Sequence, residues 1–292
     1  MNPLVSVVIP VWNAGRFLAE AIESVAAQTW PHWELLLADD GSTDGSPEIA
    51  RSWAARYPEK IRCLEHPGRA NRGESASRNL GLREGRGDLF AFLDADDVWL
   101  PGKLAHQVPL LAARPEAGML YGNTEYWFSW TGAPEDAGRD FAHPLGLPAG
   151  TLIEPPHLLT RFLRREAAVP CTCGLLVRRA ALERSGGFEE SFRGMYADQV
   201  FYAKLALAVP VLVDGGCRER YRQHPESCCA VSRQERTARE ARRIYLTWLA
   251  GVLEERGVSD PELWWALRKE LWACRHPRLE RTLRPLRRWL TA

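Results

Sequence analysis

The sequence predicts an open α/β sheet, mostly parallel, flanked by helices and followed by a helical C-terminal extension. Three observations carry this. Over the first hundred residues short apolar runs alternate with amphipathic stretches, the pattern of successive βα units. The carboxyl end of each apolar run carries polar or charged side chains, where such sheets hold ligands. From Arg233 onward apolar residues recur at helical spacing.

Leu4 to Ile9 reads as the first strand, closed by Pro10, and Phe17, Leu18, Ala21, Ile22 and Val25 put a helix over 15–28. Glu34 to Ala38 is the second strand, with Ile49, Trp53 and Tyr57 marking the helix after it. Ile61 to Leu64, a helix over Ser75 to Arg83, and Leu89 to Leu93 complete four strands with helices between them. Further on, Ala117 to Gly122, Thr124 to Trp130 and Cys173 to Val177 read as strands, and 131–149, rich in Gly, Pro and Ala, as loop. Asp198 to Ala208 is helical. The extension reads as helices over 233–255, 260–274 behind an Asp260-Pro261 cap, and 278–290.

Composition narrows the function classes. The chain has 292 residues, 46% hydrophobic and 26% charged, with net charge +1. Nowhere do eighteen apolar residues run without a charge, and the N-terminus lacks the basic and apolar regions of a signal peptide, so integral membrane and secreted classes are not expected. Seven cysteines without paired C-x-x-C spacing indicate neither a zinc ribbon nor a disulfide framework and fit a reducing cytoplasm. Charge is uneven: from Val231 onward 14 Arg/Lys stand against 8 Asp/Glu, a surplus of +6 against −5 for the rest. Leu279, Leu283, Leu286 and Leu290 add a basic amphipathic pattern interrupted by Pro285, which fits an anionic membrane surface or self-packing.

The strand ends share a chemistry. After the first come Pro10, Val11, Trp12 and Asn13; the second ends in Asp39-Asp40-Gly41-Ser42; the third leads to Arg69, Asn71 and Arg72; the fourth runs into Asp94-Ala95-Asp96-Asp97. Alternation on an extended segment puts Asp94 and Asp96 on one side, where oxygen ligands suit Mg²⁺ or Mn²⁺. Carboxylates that close repel unless a cation or donor array lies between them. An EF-hand beginning at Asp40 fails because its twelfth position is Arg51, and one beginning at Asp94 fails at Val98. A G-x-x-x-x-G-K-S/T loop is absent, and Gly85-Arg86-Gly87 lacks a third glycine and precedes a strand, so P-loop and dinucleotide-binding readings lose support.

The blocks Val5 to Asn13, Gln28-Thr29-Trp30, Glu34 to Asp44, Ala76 to Asn79 and Asp94 to Asp97 together resemble the nucleotide-sugar glycosyltransferases of inverting family 2, over roughly residues 4–225. The resemblance implies a GT-A fold and transfer of a sugar from a nucleotide-diphosphate donor, UDP being favoured, to an acceptor hydroxyl. It implies nucleotide contacts from Pro10, Val11, Asn13, Asp39, Arg69, Arg72, Arg78, Asp94 and Ala95, with Asp39 accepting from the base. Asp96 becomes the main ligand of Mn²⁺ or Mg²⁺, joined by His224 in Tyr221-Arg222-Gln223-His224. Met195 to Tyr202 matches the segment with the family's catalytic base, usually in a Glu-Asp pair; Ala197 replaces the first acid and leaves Asp198 as the base.

The expected organisation is a GT-A domain over 1–230, of which 1–115 binds nucleotide and 116–230 acceptor, then the extension over 231–292. The acceptor is a glycan, a lipid-linked molecule or another hydroxyl compound. Nucleic acid is not expected as a partner; peripheral contact with the inner face of the membrane through the C-terminal helices and homo-oligomerisation are. A glycosidase needs an acid on the leaving oxygen but no nucleotide cleft, and a sugar-1-phosphate nucleotidyltransferase would need a glycine-rich basic loop after the first strand. The non-enzymatic alternative, suggested by Ala197, is a catalytically inactive nucleotide- or glycan-binding module of the same fold.

Overall fold

The computed structural model describes residues 2–234 and 237–277. Ten strands, Val5–Val11 (β1), Trp33–Asp39 (β2), Ile61–Glu65 (β3), Leu89–Phe92 (β4), Val98–Trp99 (β5), Met119–Trp127 (β6), Phe141–Ala142 (β7), Leu152–Ile153 (β8), Leu175–Arg178 (β9) and Val211–Arg222 (β10), form one sheet. Its order is β3-β2-β1-β4-β9-β6-β10-β5, with β7 beside β6 and β8 beside β10. The first four strands are parallel; β9 is antiparallel to both β4 and β6, while β10 runs parallel to β6. A parallel half thus adjoins a mixed half, and the seam lies where β4 delivers the acidic turn.

The helices are Leu18–Ala26 (α1), Ser46–Arg56 (α2), Glu74–Glu84 (α3), Lys103–Ala112 (α4), His157–Arg164 (α5), Arg179–Ser185 (α6), Ala197–Ala206 (α7), Cys228–Gln234 (α8), Ala238–Glu255 (α9) and Pro261–Arg275 (α10). β1 shows why the centre of the sheet forms. Val5, Val7, Ile9 and Val11 pack on one side with α1, whose Leu18, Ala21, Ile22 and Val25 bury one helical stripe, while Val8 packs on the other. On that other face α3 approaches closely, because a Cβ on Gly81 would stand 2.4 Å from Val8 Cγ1.

The same face carries α5, α6 and α7 and extends to α9 and α10, whose Tyr245, Leu246, Leu249, Leu253, Leu263 and Leu267 belong to one apolar cluster with Phe90, Phe92 and Phe201. Asp260 caps α10, its Oδ1 accepting from the Leu263 N–H at 2.7 Å as the Asp-Pro pair predicts.

Several elements differ from the sequence expectation. The two strands expected over 117–130 are one continuous strand, β6, and the 131–149 loop contains β7. The helix expected from 233 is preceded by α8, and three elements were not expected: α4 and α5, although Leu104, Val108 and Leu111 and then Leu158, Leu159 and Leu163 stand at helical spacing, and the twelve residues of β10. The expected helix over 278–290 lies outside the described residues.

Candidate active site

The ends of β1 and β2 are stitched into one surface. The Asp40 N–H donates to the Val11 carbonyl at 2.8 Å, the Asn13 N–H to Ser42 Oγ at 3.0 Å, and the Thr43 N–H back to Asn13 Oδ1 at 2.8 Å. Asn13 takes the left-handed conformation, φ 49°, which a residue with a short polar side chain tolerates. Gly41 has φ 79°, and a Cβ there would meet the Arg69 carbonyl at 2.5 Å; glycine at this point lets the loop after β3 close over the loop after β2.

The paired acids of this loop divide their work. Asp40 accepts from the Arg72 and Gly73 N–H groups at 2.7 and 2.8 Å and so fixes the approach to α3. Asp39 receives only long contacts from the Ser42 N–H, 3.3 Å to each oxygen, with Arg69 Nη2 at 3.8 Å. Its carboxylate therefore accepts no short hydrogen bond. Pro10 and Val11 form the end of β1 beside it, and the Trp12 side chain, 61% exposed, stands at the mouth. Arg69 and Arg72 lie on the exposed rim, with Arg72 entering the network by its backbone.

Beyond β4 the charges sort into two groups. In the first, Arg78 is buried, donates from Nη2 to Asp94 Oδ1 at 2.7 Å, and lies 3.1 Å from Glu74 Oε2. Asp198, the second residue of α7, joins this group electrostatically: loss of solvent in the cleft pushes its carboxyl up to about 6, the Gln199 N–H and Arg78 oppose the shift, and Glu74 and Asp94 add to it. α7 starts from Tyr196 at φ 73°, whose ring stacks on Tyr245 of α9 with centroids 5.4 Å apart.

In the second group, His224 Nε2 lies 2.9 Å from Asp96 Oδ2 and His224 Nδ1 3.0 Å from Glu226 Oε2. The bond to Asp96 is the foremost reason that the His224 imidazole is raised above its ordinary value, ahead of burial, which opposes it. These two predicted metal-ligating side chains, distant in sequence, meet at one point. They supply one oxygen and one nitrogen, a donor set that suits a borderline divalent cation. Among the described residues no cluster of three His, Cys, Asp or Glu side chains is poised for a metal, so an ion here would complete its shell from substrate oxygen and water. With that completion the residues fit the group.

Asp97 and Arg222 stand in motifs that the sequence singled out, but sequence reasoning gave neither a role. Asp97 is 1% exposed, and burial, then the neighbouring Asp96 and Asp94, pushes its carboxyl well up. Arg222 is also buried: its Nε donates to the Asp96 carbonyl at 2.7 Å and its guanidinium lies 4.5 to 5.0 Å from the ring centroids of Trp127, Phe17 and Trp130. Trp127 and Trp130 thus flank an arginine. The signal was local, since Arg222 stands two residues before His224, but its partners lie more than ninety residues away in sequence. Ala95 is buried between the acids it separates.

A parallel half, a mixed second half and an acidic turn at their seam place the fold in the GT-A class of glycosyltransferase folds. The chain belongs to Glycosyl transferase family 2, whose sequence pattern matches residues 6–186. EpsE of Bacillus subtilis strain 168, named as a glycosyltransferase, is 41% identical over 110 residues, 38% of this chain and 39% of EpsE. The uncharacterized glycosyltransferase YibD of Escherichia coli K12 is 37% identical over 127 residues, 44% of this chain and 36% of YibD. The chain thus spans less than half the length of the relatives it matches. Among solved structures, S. aureus TarS 1-349 in complex with UDP superposes with TM-score 0.66 at 17% identity, covering 96% of this chain and 74% of TarS 1-349. The mannosyltransferase PcManGT from Pyrobaculum calidifontis, in complex with GDP-Man and Mn²⁺, gives 0.62 at 19% identity, covering 93% and 70%. No helix of the described residues is long and apolar enough to cross a membrane.

Proposed function

We propose that this protein transfers a sugar from a nucleotide-diphosphate sugar to an acceptor hydroxyl with inversion, in one displacement. The observation that carries this reading is the separation of two carboxylate environments in one cleft: Asp96 paired with an imidazole, and Asp198 held with its carboxyl near 6 beside Arg78 and Asp94. Two carboxylates with different partners are what a reaction needs when one end must accept a proton and the other must carry a charged leaving group.

Asp39 accepts from the base edge, Trp12 offers a face to it, and Pro10, Val11, Asn13 and Ala95 shape the cleft around the nucleoside. Arg69 and Arg72 on the rim and Arg78 beneath Asp94 place positive charge along the path of the diphosphate. Mn²⁺ or Mg²⁺ held by Asp96 and His224 would act as a Lewis acid on the diphosphate oxygens. Asp198 takes the proton of the acceptor hydroxyl as its oxygen bonds to the anomeric carbon. The bond from that carbon to the diphosphate breaks, and the nucleoside diphosphate leaves with the electron pair. UDP is the favoured nucleotide because relatives in fold have been crystallised with UDP and with UDP-GlcNAc; the GDP-Man complex of another keeps guanine nucleotides in the test.

The catalytic unit spans 1–230, with nucleotide bound by 1–115 and acceptor by 116–230, and 231–292 is its extension. The protein works in the cytoplasm on a glycan, a lipid-linked molecule or another hydroxyl acceptor. The deciding experiment is a thermal-shift panel of nucleotides and nucleotide sugars with and without Mn²⁺, followed by transfer assays with whichever donor raises the melting temperature. Stabilisation by a donor with turnover lost in Asp198→Asn supports the reading; a donor that binds tightly yet is never turned over on a broad acceptor panel selects an inactive binding module, for which Ala197 is the sequence feature.

A further inference from the structure

We propose that the face built by α10 and the end of α5 docks on an anionic phospholipid bilayer. The observation is an aromatic and cationic stripe on the outer side of α10. Leu263, Ala266, Leu267 and Glu270 turn inward, which leaves Trp265, Arg268, Lys269 and Trp272 on the opposite side, one to two turns apart. These four side chains line a shallow groove of about 410 Å³. Trp265 is 56% exposed, second among the large apolar side chains of the described residues only to Trp12.

The neighbours of the stripe are cationic. Lys269 Nζ lies 4.9 Å from the Trp265 ring centroid and the Arg164 guanidinium 5.6 Å from it, while Arg165 at the end of α5 is 60% exposed. Of the carboxylates near it, Glu270 is turned under the helix toward Arg242 and Arg165, while the exposed Glu262 and Glu166 lie 3.1 Å from Arg164 and 4.0 Å from Arg161. Tryptophan prefers the level of lipid headgroups, where the indole body meets acyl chains and its N–H meets water, and nearby arginine and lysine add attraction to anionic headgroups. The two indole rings with Arg268 and Lys269 between them match an anionic headgroup layer in charge, which is the ground for a bilayer as the occupant. The charge continues in sequence, since residues 278–292 hold five arginines against one glutamate. The inference is independent of which sugar is moved, so its failure would leave the proposed function standing.

The test is flotation of the full chain with vesicles of phosphatidylglycerol and phosphatidylcholine in equal parts, against phosphatidylcholine alone. The chain is expected to float with the anionic vesicles only, and to be released by raising salt from about 0.1 M to about 0.5 M. W265A/W272A and R268E/K269E should each lower the bound fraction at least about tenfold at unchanged melting temperature. R268E/K269E keeps the test open should the tryptophan variant misfold. The proposal is overturned if the full chain does not float with anionic vesicles, if both variants bind as the parent does, so that residues 278–292 alone carry the binding, or if sedimentation shows that W265A/W272A converts a dimer to a monomer, which would make a second copy the occupant.

Discussion

The backbone N–H of Arg222 donates to Asp97 Oδ1 at 2.9 Å, joining the end of β10 to the acidic turn after β4 across 125 residues of chain. One residue thereby fixes two neighbours of the cleft, because the Arg222 side chain also holds the Asp96 carbonyl. Asp96 and His224 meet on the outer side of this clamp.

Removal of that clamp should be costly. Arg222→Gln is expected to destabilise the fold by about 3 kcal/mol, since it strips a buried charge from its partners, and Arg222→Lys to rescue little because a lysine cannot bridge the same acceptors. Urea unfolding of the two variants checks this; a loss under about 1 kcal/mol would show the network to be dispensable.

The proton-accepting role of Asp198 sets a pH profile. With its carboxyl near 6, kcat is expected to fall about tenfold per pH unit below that value and to level off above it. Asp198→Asn should lower kcat by roughly a hundredfold or more, with donor Kd within about threefold of the parent. The linkage runs the other way for stability. The folded carboxyl stands above its unfolded value of about 3.9, so its contribution is full below that pH and is lost as pH rises through about 6. Opposite signs in activity and stability distinguish a titrating Asp198 from simple acid unfolding.

Metal dependence is read from binding. Asp96→Ala and His224→Ala should each weaken Mn²⁺-dependent donor binding by about tenfold to a hundredfold and leave metal-free nucleotide binding nearly unchanged, by calorimetry with and without EDTA. Equal donor affinity in Mn²⁺ for parent and Asp96→Ala would remove Asp96 as a ligand.

Gly41→Ala tests the nucleotide loop without touching any proposed contact side chain. The φ of 79° alone costs about 1–2 kcal/mol for an L-residue, and the new Cβ would press on the Arg69 carbonyl at 2.5 Å. A lower melting temperature and weaker nucleotide binding are expected together; an unchanged nucleotide Kd would mean that the loop after β3 does not need to close for binding.

A fifth outcome concerns α7. Arg242 donates to Glu270 and interacts with the Tyr196 side chain, and Tyr245 stacks on Tyr196, so α9 holds the left-handed residue from which α7 and Asp198 start. Tyr245→Ala should lower stability by about 3–4 kcal/mol through the vacated core, and Arg242→Met should lower kcat more than it raises KM. A change confined to KM would place Arg242 in substrate binding instead.

The parallel half and the acidic turn were legible because each rests on a short-range pattern. Alternation in Val5 to Val11, the helical stripe of α1, the Asp260-Pro261 cap and the run of Phe92 into Asp94 and Asp96 are settled within a few residues by which face must leave water. α4 was hidden by Pro109 inside it, and β10 by its charged second half and by the irregular register around Gly215, Gly216 and Cys217. β10 forms because β6 supplies a partner along its length that its own sequence does not advertise. The assignment of Asp40 to structure while the Asp39 carboxylate accepts no short hydrogen bond, the meeting of Asp96 with His224, and the burial of Arg222 among three aromatic rings all depend on contacts between distant segments. Sequence therefore determined the chemical inventory at the strand ends and the family. Only tertiary closure decided which of those charges face one another, because a carboxylate's role follows from its surroundings, and those are assembled from segments whose local patterns carry no record of each other.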